Sequence, residues 1–481
     1  MSSYQIFTKN IGIIGAANVF IAAERIILLP ILTKFLGAAN YGIWTQLSIT
    51  LSLMAPLILL GLPYTLVRFL AGEKDIEQIQ DGVYSVLAFV FIIAIVFILL
   101  FWFFAQSIAD FLQSPVLFVK ILGFVILFEC LGLVLLGALQ AFQEVVKYSL
   151  FTILKALGEI GLVLAAIFLG YGLFGAVLSL LIIRLLVFFF LLAYFLKKIE
   201  IKAPKFFKIK EYLRFGLPTV ASSISYWMVS SSDKYLIGFF LGVLFVGYYA
   251  PAYTMASVLT FIIYPFIFML PPVLSRAFDE HRIETVRTYL KYSLKYFLVI
   301  AIPIIFGLSI LSQEILTIFS TQEIARNSHH IMPFVALSFL FYGVYNIFVQ
   351  VLVLFKKTKI FGAIWLGAAF LNIGLNFLFI PIFGIIAAAL TTLIAYSFSL
   401  GLTWYFASKR LQFEIDWQFI AKSLLASGVM VFCIFWLGPV GLFQVSLAIL
   451  FGAAVYGVLI YLLRGFQQKE IEFIKLFLKN L

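Results

Sequence analysis

Charge is what this chain has least of. Only 11% of its 481 residues are Asp, Glu, Lys or Arg, and 64% are hydrophobic. Soluble domains run at about 25% charged and about 45–50% apolar. The mean hydropathy is +1.14. A water-soluble fold has no means of hiding so much apolar surface, so the solvent of most of this chain is lipid. Cysteine is nearly missing as well. Cys130 and Cys433 sit apart inside apolar runs, which excludes a disulfide framework and a cysteine metal site. The three histidines, His281, His329 and His330, have no Cys or carboxylate at ligand spacing and read as loop residues. No G-x-S-x-G, no phosphate loop ending in Gly-Lys-Ser/Thr and no H-E-x-x-H occurs. The chain therefore reads as a non-enzyme that needs no metal and no cofactor, and ATP is not its energy source unless a partner supplies it. A cleavable leader is not expected either. The first apolar run, Ile11 to about Leu36, is longer than a signal core of about 7–15 residues, and no A-x-A site follows it.

What is present is a series of apolar runs rich in aromatics, with 56 Phe and 23 Tyr. About fourteen runs are long enough to span, at 11–36, 42–70, 82–105, 117–139, 147–169, 173–196, 213–239, 243–274, 289–311, 329–355, 360–381, 384–407, 419–438 and 441–464. Helices satisfy their own backbone hydrogen bonds in lipid, and no alternating ten-residue pattern suggests a barrel. The fold class expected is an all-α polytopic membrane protein.

The net charge of +12 comes from short loops, which fits membrane topology better than nucleic acid. Alternate loops differ sharply. One set holds Arg68 and Lys74, Lys147, the run from Lys197 to Arg214, Arg276, Arg282 and Arg287, Lys356, Lys357 and Lys359, then Lys409 and Arg410. The other holds little beyond Lys34, Lys120 and Arg326. That asymmetry puts the first set and both termini in the cytoplasm of a cell membrane. Loops on the far side are short, so function must lie among the embedded helices.

The chain also repeats itself. Phe35-Leu36-Gly37 with Gly42 recurs as Phe240-Leu241-Gly242 with Gly247. Leu62-Pro63 with Arg68 recurs as Leu270-Pro271 with Arg276. Glu159-Ile-Gly-Leu recurs as Asn372-Ile-Gly-Leu, and Gly172-x-x-Gly175-Ala as Gly384-x-x-Ala387-Ala. Six spans duplicated give two parallel lobes, as in many secondary transporters, with two spans left over. The expected organisation is an N-lobe at 1–196, a basic linker at 197–212, a C-lobe at 213–407, two further spans at 408–464 and an amphipathic tail at 465–481. On the tail, Ile471, Ile474, Leu478 and Leu481 share one helical face and suit a membrane surface, or the terminus simply frays.

Charges at bilayer depth cost about 2.5–3.5 kcal/mol each, so each needs a partner or a task. Glu24 and Arg25 fall mid-span, and Asn18, Ala22 and Arg25 share a face. They form an anion contact with Glu24 titrating, or else pair with another helix. Lys155 and Glu159, four apart, can pair along their own helix. Arg184 lacks a local partner and its guanidinium fork suits phosphate, with Glu129 as the alternative counter-ion. Ser223, Tyr226, Ser230 and Asp233 share a face that hydrogen-bonds sugar or glues helices, and Asp233 with Lys234 suits a gate.

The segment LRFGLPTVASSISYWMVSSSDKYLIGFFLGVLFVGYYAPAYTMASVL at 213–259 resembles the polysaccharide-biosynthesis (O-antigen type) flippases of the multidrug/oligosaccharidyl-lipid/polysaccharide exporter superfamily. Gly216-Leu217-Pro218, Ser231-Ser232-Asp233-Lys234-Tyr235 and Gly247-Tyr248-Tyr249 carry the closest likeness, supported by TKFLGAANYGIW at 33–44 and LNIGLNFLFIPIFGIIAAALTTLIAY at 371–396. The resemblance implies a MATE-like fold and transport of a lipid-linked oligosaccharide, a polyprenyl-pyrophosphate bearing sugars, to the outer leaflet. It also implies Na+ or H+ coupling and contact with membrane lipids and polysaccharide-assembly partners. On that basis Arg25, Asn18, Lys155 and Arg184 are pyrophosphate candidates and Ser223, Tyr226 and Ser230 sugar candidates. Glu24, Glu129, Glu159, Asp233 and Lys234 are coupling or gate candidates. A multidrug cation antiporter, a carrier of peptidoglycan precursor and a membrane polymerase or ligase are the competing readings. The last usually carries a large outer loop, which this chain lacks.

Overall fold

Apolar runs of this length become helices because lipid offers no other partner for backbone N–H and C=O groups. The computed structural model describes residues 3–73, 75–200, 202–466 and 470, and of these the side chains of 3–19 and 22 lie outside the description. In chain order the α-helices are α1 Ser3–Leu59, α2 Leu62–Leu70, α3 Ile76–Phe103, α4 Ala105–Leu112, α5 Val116–Ala141, α6 Val145–Phe168 and α7 Gly172–Lys198. There follow α8 Ile209–Leu241, α9 Val243–Ala256, α10 Leu259–Asp279, α11 Ile283–Ile310, α12 Ser312–Phe319, α13 Gln322–Ser328, α14 Met332–Leu354, α15 Thr358–Phe383, α16 Ile385–Ser408, α17 Trp417–Leu437 and α18 Gly441–Leu462. The tail face built on Ile471, Ile474, Leu478 and Leu481 lies outside the described residues, as does Lys74.

Twelve described segments are long and apolar enough to cross a membrane. Two more complete the fourteen expected. The helical run Ser3–Leu59 turns at Gly37 (φ 77°, ψ 173°), so its two arms are separate spans. The span α8 falls short in apolarity because it carries a serine run with Asp233 and Lys234, yet it is a continuous helix of 33 residues. Large apolar side chains such as Phe443 (75% exposed) and Phe190 (65% exposed) point away from the protein, as a lipid-facing surface requires.

By packing, the chain divides into two compact units. One comprises 1–250 with 373–384, the other 251–372 with 385–481. In the first unit α5 is the central helix, packed against α1, α2, α3 and α7. In the second, α14 takes that place, against α10, α11 and α16. Their spans are the two most buried, at 72% and 61% of the apolar window. They are the fourth and tenth spans, six apart, which is the interval of the repeat.

The repeat also has direct contact geometry. Gly37 and Gly242, equivalent in the two copies, both adopt positive φ (77° and 102°), which a side chain would oppose. Beyond them the copies meet reciprocally. A Cβ on Gly42 would stand 2.0 Å from the Val243 carbonyl oxygen, and one on Gly247 would stand 1.9 Å from that of Ala38. Ala38 and Val243 are themselves repeat equivalents. Backbones approach this closely only where small residues allow it. Gly42→Ala and Gly247→Ala are each expected to lower stability by about 1–3 kcal/mol. Gly161→Ala, where no atom lies within 4 Å of the new Cβ, should leave it unchanged. Thermal unfolding of purified protein in detergent measures the difference.

Candidate functional site

Three helices of the first unit bring the membrane-depth charges together. Glu129 is on α5, Lys155 and Glu159 are on α6, and Arg184 is on α7. Lys155 Nζ donates to both oxygens of Glu129, at 2.6 and 2.8 Å. Arg184 Nη1 donates to Glu159 Oε2 at 3.1 Å and to the Leu180 carbonyl at 3.1 Å. Arg184 Nε lies 2.9 Å from Glu129 Oε2, close enough for an ion pair but not aligned for a hydrogen bond. Two acids and two bases thus form a neutral quartet. Side-chain exposure falls from 24% at Lys155 to 12% at Glu129 and 8% at Arg184, so lipid and water are largely kept out. In such a medium each opposite charge is held strongly, and loss of one partner strands the other.

This arrangement changes two expectations. Lys155 and Glu159 do not pair with each other along α6. Each reaches across to a neighbouring helix instead, because α5 and α7 flank α6 with opposite charges at the same depth. Arg184 has partners after all, and Glu129 is one of them.

Glu24 and Arg25 extend the system onto α1. Glu24 is half-buried and acts electrostatically on Glu159, Lys155, Arg184 and Arg25. Arg25 is exposed, and no ion pair holds it among the described residues. It also acts electrostatically on Lys234. The side chain of Asn18 is outside the described residues.

That second pair lies on α8. Lys234 Nζ is 3.0 Å from Asp233 Oδ1 and donates to the Ser230 carbonyl at 3.1 Å. The Tyr249 hydroxyl donates to Asp233 Oδ2 at 2.7 Å. Asp233 is wholly buried and Lys234 nearly so. The second arm of α1 locks the same stretch, since Gln46 Nε2 donates to the Lys234 carbonyl at 3.0 Å and Thr50 meets the Tyr235 hydroxyl at 2.6 Å. Trp227 Nε1 adds a bond to Ser52 Oγ at 3.0 Å. Toward the other end of α8, Ser223 and Tyr226 are exposed, while Ser230 is half-buried beside Ser231. The predicted hydroxyl face therefore runs from open at Ser223 to closed at Asp233.

Tyr249 was legible only as part of the Gly-Tyr-Tyr motif. Gln46 and Thr50 were not singled out, although two polar residues four apart in an apolar helix are a signal of a helix contact. No cluster of three or more metal-ligating side chains occurs among the described residues.

Long apolar helices around a largely buried charge quartet define a helical multi-pass membrane protein. The chain belongs to the polysaccharide biosynthesis protein family, whose model matches residues 31–328. It is 24% identical over 271 residues to the probable low-salt glycan biosynthesis flippase Agl15 of Haloferax volcanii, covering 55% of this chain and 57% of that protein. The chain thus spans a little over half the length of that curated relative. Its fold is similar to that of the lipid II flippase MurJ, solved in an inward closed conformation, with a TM-score of 0.75, 20% identity and coverage of 93% and 98% of the two chains. An inward-facing multidrug resistance MATE family transporter of the MOP superfamily gives 0.66, with 14% identity and coverage of 82% and 94%. The protein is a multi-pass membrane protein with a MATE-like fold.

Glu129→Ala is expected to cost about 3–5 kcal/mol, because it removes the partner of Lys155 and one of the two carboxylates that hold the buried Arg184. Ser223→Ala, at an exposed position, should stay within about 0.5 kcal/mol. Equal unfolding midpoints for the two variants would show that the quartet is not structural.

Proposed function

We propose that this protein flips a polyprenyl-pyrophosphate-linked oligosaccharide from the cytoplasmic to the outer leaflet of a cell membrane by alternating access. The observation that carries the reading is Arg25: an exposed guanidinium on the first span, with no ion-pair partner among the described residues. A cation left uncompensated at this depth is costly, and an anionic head group repays the cost. Lys155 and Arg184 serve mainly to set the field around Arg25, because their charges are already met by Glu129 and Glu159. Lys155, the most exposed of the four, is the second contact for the pyrophosphate. The open end of the α8 face, Ser223 and Tyr226, supplies hydrogen bonds for sugars, with Ser230 deeper in.

A gradient of H+ or Na+ drives the cycle in this reading. Glu24 is the coupling residue, since it is half-buried and feels both signs of charge in the quartet. Asp233 and Lys234 act as a gate held by Tyr249. Both termini lie in the cytoplasm, from the Lys/Arg asymmetry of the loops. Family membership and two relatives whose names are those of flippases support transport over catalysis. A drug-cation antiporter of the same fold is less well served. Glu129, Glu159 and Asp233 are each occupied by a base, and the open charge is positive.

The test is reconstitution of the purified chain in liposomes with a fluorescent polyprenyl-pyrophosphate glycan. Glycan should reach the far leaflet, and Arg25→Ala should slow this at least about tenfold, the loss of one charge-assisted contact of about 1.5–3 kcal/mol. Collapsing the H+ or the Na+ gradient should stop net movement. Export of organic cations without glycan movement would refute the reading.

A further inference from the structure

The run between α7 and α8 carries more positive charge than the protein itself neutralises. From Lys197 to Arg214 it holds seven basic residues and two acids, Glu200 and Glu211. Its course is fixed along the start of α3. The Tyr84 hydroxyl donates to the Ile199 carbonyl at 3.2 Å, and Lys202 Nζ donates to Glu77 Oε1 at 2.7 Å. The Lys205 N–H donates to Asp81 Oδ1 at 2.7 Å and the Phe206 N–H to Ser85 Oγ at 3.0 Å. Lys208 Nζ meets only an amide, Gln78 Oε1, at 2.5 Å. Lys198 is paired with Glu144 at 2.6 Å and lies 4.4 Å from the centre of the Phe142 ring. By contrast Lys197, Lys205, Lys210 and Arg214 are exposed, and no ion pair holds them among the described residues.

Phe207 stands among these cations with 85% of its surface exposed. The backbone arranges this. Phe206 takes a left-handed conformation (φ 56°), which a bulky residue keeps only where its surroundings hold it. Here its N–H is held by Ser85 and its carbonyl accepts from the Ile209 N–H at 3.3 Å. The turn leaves Phe206 half-buried and Phe207 outward. In water a ring held outward gains nothing. At a membrane surface it does, because apolar rings flanked by lysines settle in the headgroup layer.

The membrane is within reach. Residues 199–208 join two spans on one side, α7 ending at Lys198 and α8 starting at Ile209. Ten residues that leave and return can rise by at most about 17 Å, half of their extended length. The bonds to α3 hold them closer. Asp81 and Ser85 flank the start of the third apolar run, 82–105, so Lys205 and Phe206 lie where that run enters lipid.

We propose that the run from Lys197 to Arg214 binds anionic phospholipid headgroups. Lys197, Lys205, Lys210 and Arg214 meet the lipid phosphates, and Phe207 is seated among them. An anionic headgroup supplies the counter-charge that Glu77 and Glu144 do not. A zwitterionic one brings its own ammonium and supplies none. This contact does not depend on the transport reading.

The test uses the full chain with Phe207→Cys carrying a nitrobenzoxadiazole dye, and with Cys433→Ala, which leaves the buried Cys130 as the remaining native thiol. The protein is placed in nanodiscs of phosphatidylcholine with increasing phosphatidylglycerol. Dye emission should move to the blue as phosphatidylglycerol rises, and molar salt should reverse the change. Lys205→Gln with Lys210→Gln should lower the apparent affinity for phosphatidylglycerol about tenfold or more, since each lysine at a membrane surface is worth about fivefold. Lys34→Gln with Lys120→Gln removes as much charge from loops of the other set and should leave that affinity within about twofold. In the chain that keeps Phe207, phosphatidylglycerol should raise the thermal unfolding midpoint, and Phe207→Ser should reduce the gain. An emission change as large in phosphatidylcholine alone, no change with phosphatidylglycerol, or equal loss in the two double-lysine variants overturns the proposal.

Discussion

The ion-pair quartet of Glu129, Lys155, Glu159 and Arg184 is the constraint on which the first unit depends. In water such pairs are worth little. In a dry membrane interior each member is costly alone and stable only with its partners. The quartet therefore does what bulk hydrophobicity cannot do in lipid, which is to specify which helices are neighbours. Acyl chains compete with Leu and Phe for helix surfaces on equal terms. A pair of carboxylates bound by an ammonium and a guanidinium has no equivalent competitor. The arrangement fixes α5, α6 and α7 in rotation and depth, and it sets the charge environment of Glu24 on α1.

The same logic separates residues that hold the protein together from residues free to act. Lys155 and Arg184 satisfy every sequence criterion for anion binding, yet most of their charge is spent on neighbours. Arg25 has the same chemistry with no ion-pair partner among the described residues, and that difference makes it the stronger candidate. On α8, Asp233 is buried and engaged by Lys234 and Tyr249, while Ser223 and Tyr226 are exposed. Charge and polarity alone mark all of these positions. Pairing ranks them.

The reciprocal approach of Ala38 to Gly247 and Val243 to Gly42 shows how duplication is used in this fold. Two copies of one hairpin meet at a backbone contact that only glycine permits, and each copy supplies both the small residue and the carbonyl. The copies have diverged in chemistry around that contact. Both copies keep buried ion pairs, Glu129, Lys155, Glu159 and Arg184 in the first and Asp233 with Lys234 in the second, but equivalent positions differ. Glu159 against Asn372 is one instance of the change.

Much of the architecture was legible from the order of residues. Spans follow from the length of apolar runs, since lipid forces each into a helix, and the repeat follows from glycine and proline landmarks about 205–213 residues apart. The candidate charges were legible too, because a charge in an apolar run stands out. What sequence spacing misjudged was partnership. It suggested Lys155 with Glu159, four residues apart on one helix, whereas the fold joins Lys155 to Glu129 and Glu159 to Arg184. Local spacing records only the neighbours along one helix. Lateral neighbours depend on how helices rotate against each other. That rotation is decided by the summed packing of α5, α6 and α7, so it was settled only in the tertiary structure.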